Sequence, residues 1–84
     1  MLLNVRAKPY RLSDPASGSE IVGQLPEGSM VTVLGRARIN NQPSVFVYVH
    51  DPVTGISGWI DSHFLEGLGY LAGMYDELPL VYEA

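Results

Sequence analysis

The sequence predicts a small all-β domain in which five short strands form a closed or nearly closed barrel. Its 84 residues are enough for one domain with a thin core. Apolar and polar residues alternate over short runs, which is the period of a β-strand, and helical periodicity is scarce. Prolines and glycines separate these runs and indicate turns. Because the chain has no cysteine, its stability must come from the paired sheet and the core.

The first two strands are predicted on either side of a long loop. Residues 3–6 alternate apolar and polar side chains, as in a strand with one buried face. Residues 7–19 are rich in proline, serine, aspartate and glycine, which indicates an exposed loop. A second strand is predicted over residues 20–25, where Gly23 indicates a bulge or a close backbone approach.

The third and fourth strands are predicted at residues 30–34 and 44–49, with a loop over residues 35–44 between them. The fourth strand alternates valines with aromatic residues. We therefore expect its valines to face one layer, and Phe46 and Tyr48 to face the opposite one.

The fifth strand is predicted at residues 56–60, after a tight turn at residues 51–55. A single helical turn should follow at residues 61–65. Asp61 is suited to cap it, because its short carboxylate can accept the free N–H groups ahead.

Residues 67–84 differ in composition from the rest of the chain. They contain three acidic residues, three tyrosines and no lysine or arginine, yet they are also strongly apolar. Such hydrophobicity argues against a solvated tail. We expect this tail to pack on its own barrel or on a partner, to pair with a neighbour in a homodimer, or to lead into a next domain.

Charge excludes several classes of function. The net charge of −4 cannot build the basic surface that nucleic acids require, and it argues against binding to a membrane surface. No apolar run is long enough to insert into a membrane.

The sequence also lacks the residues for a metal site or for catalysis. Two histidines without cysteine are a poor set of metal ligands, and no nucleophile has a base beside it. We expect no metal, no cofactor and no catalysis.

Four segments of the chain resemble, in order and spacing, the conserved segments of bacterial SH3 (SH3b) domains. They are LNVR at 3–6, IVGQLPEG at 21–28, VTVLG at 31–35 and GWIDSHFL at 58–65. The resemblance implies an SH3-like, five-stranded, partly open barrel over residues 1–66, with residues 67–84 outside it. Two departures are Phe46, near a position where family members usually carry tryptophan, and a longer first loop.

The resemblance also implies a function and a set of residues. Family members commonly bind peptides, above all the peptide parts of bacterial cell wall, and others are interaction modules. On this basis we expect a peptide or protein ligand, such as a peptidoglycan stem peptide. The runner-up is an intracellular assembly domain that docks through its tail. The expected ligand-binding residues are Tyr10, Tyr48, Trp59 and His63, and the expected structural residues are Asn4, Arg6, Phe46 and Asp61.

Two of these expectations stay open at the level of sequence. Trp59 suits a ligand groove and a thin core equally well, because a large aromatic ring serves both. No signal peptide follows Met1, and this observation is compatible with two cellular locations. The chain is cytoplasmic if Met1 is its native start, and it belongs to the cell envelope if it is part of a longer exported protein.

Overall fold

The computed structural model describes residues 2–13, 20–43, 45–65 and 75–84. Six strands form one sheet in the order β2-β1-β5-β4-β3-β6. Their bounds are β1 Leu2–Arg6, β2 Ile21–Pro26, β3 Thr32–Arg38, β4 Phe46–His50, β5 Ser57–Asp61 and β6 Leu80–Glu83. Short 3₁₀ turns lie at Ser62–Phe64 and Tyr75–Glu77. The predicted all-β fold is confirmed. The sheet is open, with β2 and β6 at its edges, and it has one strand more than predicted.

The central strands pair in antiparallel fashion. β4 pairs with β5 over its whole length, from Phe46 opposite Asp61 to His50 opposite Ser57. β3 begins two residues later than predicted and continues to Arg38, into a stretch predicted as loop. It continues because main-chain groups of its last residues pair with β6 as well as with β4.

The core lies on both faces of the sheet, because neighbouring residues of a strand point to opposite sides. One cluster is aliphatic with a single tyrosine: Val5, Leu25, Val47, Val49, Ile60 and Tyr75. The other, the aromatic cluster, contains Ala37, Ile39, Phe46 and Trp59, with the partly buried rings of Tyr10, Tyr48 and Tyr82 packed against it. The predicted alternation within β4 is therefore present, with Val47 and Val49 in the first cluster and Phe46 in the second.

Two glycines mark places where the chain approaches itself closely. A Cβ atom on Gly58 of β5 would lie 2.6 Å from Cγ1 of Val5 and 2.7 Å from the carbonyl oxygen of Arg6 on β1. A Cβ on Gly23 would lie 2.8 Å from Cδ1 of Ile56, and the β1–β2 register shifts beside Gly23. Both positions need glycine for space.

The turn between β4 and β5 is organised by a buried carboxylate. Asp51 accepts hydrogen bonds from the Thr54 hydroxyl at 2.8 Å and from the Val53 N–H at 3.1 Å. The bond from Thr54, more than any other contact, lowers the pKa of Asp51. Gly55 closes the turn with φ +79°, a conformation that favours glycine. This turn sets the register in which β4 and β5 meet.

The C-terminal segment, residues 75–84, adds β6 to the sheet as a strand parallel to β3. Main-chain hydrogen bonds join them at both ends. The Arg36 N–H donates to the Pro79 carbonyl at 2.8 Å, and Asn40 and Ala84 are joined by a bond of 2.7 Å from the Asn40 N–H. A Cβ on Gly35 would lie 2.8 Å from Cγ2 of Val81, so β6 packs directly onto the backbone of β3.

Tyr75 connects the C-terminal segment to the aliphatic core. Its ring is buried in that cluster. Its hydroxyl lies 2.8 Å from the carbonyl oxygen of Phe46 and 3.1 Å from that of Ala37, and it donates its proton to these acceptors. Burial raises the pKa of Tyr75 above its ordinary value.

Candidate functional site

Trp59 is the centre of an aromatic group that draws on three strands. Its ring on β5 lies 5.3 Å, centroid to centroid, from that of Tyr48 on β4, directly opposite in the register. On β6, Tyr82 lies 5.9 Å from Trp59. Both neighbours present their rings edge-on, the arrangement that the charge distribution of aromatic rings favours. Only 5% of Trp59 is exposed, so it serves the core and also forms the wall of two depressions in the surface.

The first depression, the Trp59 cavity, has a volume of about 300 Å³. It is lined by residues of β1, the first loop, β4, β5 and the 3₁₀ turn after β5. They are Leu2, Leu3, Asn4, Arg6, Tyr10, Phe46, Trp59, Ile60, Asp61 and Phe64. Aromatic rings and aliphatic side chains thus meet a guanidinium, an amide and a carboxylate. Six of the eight residues singled out in the sequence come together here.

Tyr10 is held in the cavity by packing and by a side chain that the sequence did not point to. Its ring lies 4.9 Å from that of Phe46, and the Arg6 guanidinium lies over it, 5.7 Å from the ring centroid. The Gln42 amide donates to the Tyr10 carbonyl at 3.2 Å and accepts from the Leu12 N–H at 3.0 Å. The first loop is therefore fastened to the β3–β4 loop.

Asn4 and Asp61 are polar residues that line the cavity. Asn4 accepts a hydrogen bond of 2.9 Å from the Gln24 amide, across the β1–β2 pair. Asp61 caps the 3₁₀ turn by accepting from the His63 N–H at 2.9 Å. Its carboxylate is also 2.6 Å from Nδ1 of His63. The His63 side chain is exposed and lines neither depression, so the structure does not bring it to Tyr10, Tyr48 and Trp59.

The second depression, the β6 groove, also has Trp59 in its lining and measures about 430 Å³. It is lined by Leu34, Tyr48, Trp59, Val81 and Tyr82. Sequence reasoning missed three of these residues, Leu34, Val81 and Tyr82, and four that line the Trp59 cavity, namely Leu2, Leu3, Ile60 and Phe64. The signal for Val81 and Tyr82 was the apolar tail itself, but the sequence does not tell which strand a tail will join.

The side chains that line the Trp59 cavity suit the binding of a ligand. Within the described ranges, no group of three or more histidine, aspartate or glutamate side chains could hold a metal ion. What the cavity offers is rigid aromatic surface with a few polar groups that can orient a ligand, the usual make-up of a recognition site. Nor does the described part of the chain contain a helix long and apolar enough to cross a membrane.

Comparison with known proteins identifies the class. The family model "Bacterial SH3 domain" matches residues 2–66. The chain therefore belongs to the bacterial SH3 domain family, as the four sequence segments indicated. This family consists of binding domains that are generally non-catalytic. No curated protein and no solved structure matched the chain.

Proposed function

We propose that this chain binds a short peptide in the Trp59 cavity and performs no chemistry on it. The observation that carries the proposal is the convergence of Tyr10, Phe46 and Trp59 with Arg6 and Asp61 around one opening. Aromatic faces suit the backbone and apolar side chains of a peptide, since they give a large rigid contact at small entropic cost. Membership of a family of binding domains supports this assignment.

The size and exposure of the cavity fit a short ligand. A volume of about 300 Å³ lies at the lower end of small-ligand sites and has room for one or two residues. Leu2 and Phe64, which line the cavity, are more than half exposed at 58% and 57%. Both can therefore contact a bound chain without rearrangement of the fold.

Charge favours the peptide part of the bacterial cell wall as the first ligand to test. Arg6 and Asp61 place opposite charges on one cavity, which suits a peptide that carries both amines and carboxylates. The net charge of −4 disfavours the anionic polymers of the wall and favours amine-bearing wall peptides.

The test is co-sedimentation with isolated peptidoglycan sacculi. We expect the wild-type chain to be retained, and Phe64→Ala and Tyr10→Ala to reduce retention. Val53→Ala is the matched control, because Val53 is 90% exposed, lines neither depression and lies in the turn after β4. Retention that is equal in all four proteins would reject the cavity as the site. Absence of wild-type retention, both by sacculi and by synthetic stem peptides, would reject the wall peptide as ligand.

The alternative of an intracellular assembly domain that docks through its tail has less support. Main-chain groups of β6 pair with β3 of the same chain, and Tyr75 lies in the core. Without displacing these contacts, a partner could meet the segment only at the free edge or exposed face of β6. The peptide-binding proposal instead uses a cavity lined by both apolar and charged side chains.

A further inference from the structure

We infer that the C-terminal segment is a working part of the binding site, in which Tyr82 acts as a positioning residue for Trp59. Residues 75–84 lie outside the family-matched region of residues 2–66, so nothing in the family assignment gives them a role. Trp59 nevertheless lines the Trp59 cavity and also contacts the Tyr82 ring, 5.9 Å away between centroids. This inference rests on the function proposed above in what it says of ligand binding.

The position of Tyr82 is fixed by the backbone of β6. Tyr82 is in register with Ala37, a buried residue of β3 in the same aromatic cluster as Trp59. One residue earlier, Val81 packs on Gly35, where β3 has no side chain to hold it away. One residue later, Glu83 is in register with Arg38, and the Ala84 N–H after it donates to the Arg38 carbonyl at 2.9 Å. The Tyr82 ring is therefore held against Trp59, because β6 is joined to β3 both before and after Tyr82.

Tyr82 is one of the two aromatic rings in contact with the indole within the described part of the chain. The other is Tyr48, and both contact the indole edge-on. The β6 groove adjoins the same indole and already holds about 430 Å³ of open space. Removing the Tyr82 ring would enlarge this space beside Trp59 and free the indole to change its rotamer. If the indole can move, ligand binding must fix it in one position, and this entropic cost weakens binding.

The experiment uses the only tryptophan of the chain as its probe. Intrinsic fluorescence and acrylamide quenching are recorded for wild type, Tyr82→Ala, Tyr82→Leu and Tyr82→Phe. Glu83→Gln is the matched control, since it alters the next residue of β6 and the exposed pair with Arg38. Hydrogen exchange at the Asn40 and Ala84 amides, whose bonds join β6 to the rest of the sheet, shows whether β6 remains docked.

We expect a red-shifted emission and stronger quenching in Tyr82→Leu and Tyr82→Ala with β6 still docked. Tyr82→Phe, which keeps the ring, and Glu83→Gln should match wild type. Sacculus binding should weaken roughly two- to tenfold in the first two variants, the equivalent of one aromatic contact. Should Tyr82→Ala release β6, Tyr82→Leu decides the question, because it retains an apolar side chain of substantial volume.

Two results would overturn the inference. One is a Trp59 emission and quenching that no Tyr82 variant changes. The other is a changed emission with unchanged sacculus binding, which would separate the contact from the site. If wild type itself binds neither sacculi nor stem peptides, the proposed function fails, while the fluorescence comparison still decides whether Tyr82 positions Trp59.

Discussion

Gly35→Ala tests how firmly the C-terminal segment is attached to the domain. The added methyl would lie 2.8 Å and 3.0 Å from the two γ-carbons of Val81 and 3.0 Å from the carbonyl oxygen of Pro79. That carbonyl also accepts the hydrogen bond from the Arg36 N–H, so it cannot retreat without lengthening this bond. Since the obstacle includes backbone, β6 must move away from β3.

The expected cost is that of an overpacked interior, about 1–3 kcal/mol. A domain of this size has about 5–10 kcal/mol of stability in total, so the loss is a substantial fraction. It corresponds to a fall of roughly 4–20 °C in the midpoint of thermal unfolding. Gly28→Ala is the control. A Cβ there meets nothing within 4 Å, and its cost of about 1 kcal/mol comes from its positive φ of 87° alone.

Thermal unfolding by circular dichroism gives the loss of stability for both variants, and amide exchange locates it. In Gly35→Ala, we expect the Asn40 and Ala84 amides, which hold the end of β6, to exchange faster than the central amides of β4. In Gly28→Ala, any increase should not be concentrated at β6. A Gly35→Ala protein with the wild-type midpoint and full protection at both amides would refute the close packing of β6 on β3.

Three further predictions concern the core and its turns. Because the folded pKa of Asp51 is lowered, its carboxylate stabilises the fold above the ordinary pKa of about 3.9 and loses this contribution as pH falls through the folded value. Asp51→Asn should therefore flatten the decline in stability as the pH falls below about 4, measured by urea unfolding. The raised pKa of Tyr75 affects stability at the alkaline end. Stability is lost as the pH rises above about 10, because Tyr75 releases its proton at a lower pH in the unfolded chain than in the folded one. Tyr75→Phe should reduce that alkaline loss and cost about 0.5–1.5 kcal/mol at pH 7, since the buried hydrogen bonds disappear; an unchanged alkaline profile would contradict this reasoning. Gly58→Ala should cost about 1–3 kcal/mol in urea unfolding, because its methyl would lie 2.6 Å from Cγ1 of buried Val5, and a wild-type midpoint would contradict the close approach of β1 and β5.

Most of the fold could be predicted because its determinants are local. Alternation within the fourth strand was enough to assign Val47 and Phe46 to opposite faces, and prolines and glycines marked the turns. The predicted end of β3 was wrong because the determinants of this end are not local. Residues 35–38 resemble the start of a loop, and their extended form depends on pairing with β4 and also with β6, which is more than 40 residues away in sequence.

The candidate site was only partly predictable. Aromatic type and loop position pointed to Tyr10, Tyr48 and Trp59, which the structure places around two adjoining depressions. Their role in binding stays a prediction. The same reasoning included His63, which is paired with Asp61 in the cap of the 3₁₀ turn and lies outside both depressions. Nothing local could pair Tyr82 with Trp59, because that contact depends on the direction in which the tail returns.

The attachment of β6 has a consequence for how this module can be moved from one protein to another. The stretch that sequence comparison recognises stops at residue 66, whereas Tyr75 fills the aliphatic core and β6 covers the outer side of β3. A transplant cut at residue 66 would lose a core side chain and present an unpaired strand edge, which invites aggregation. In engineered fusions and in domain exchange during evolution, we therefore expect the unit that folds after transfer to be longer than the family-matched region and to include residues 75–84.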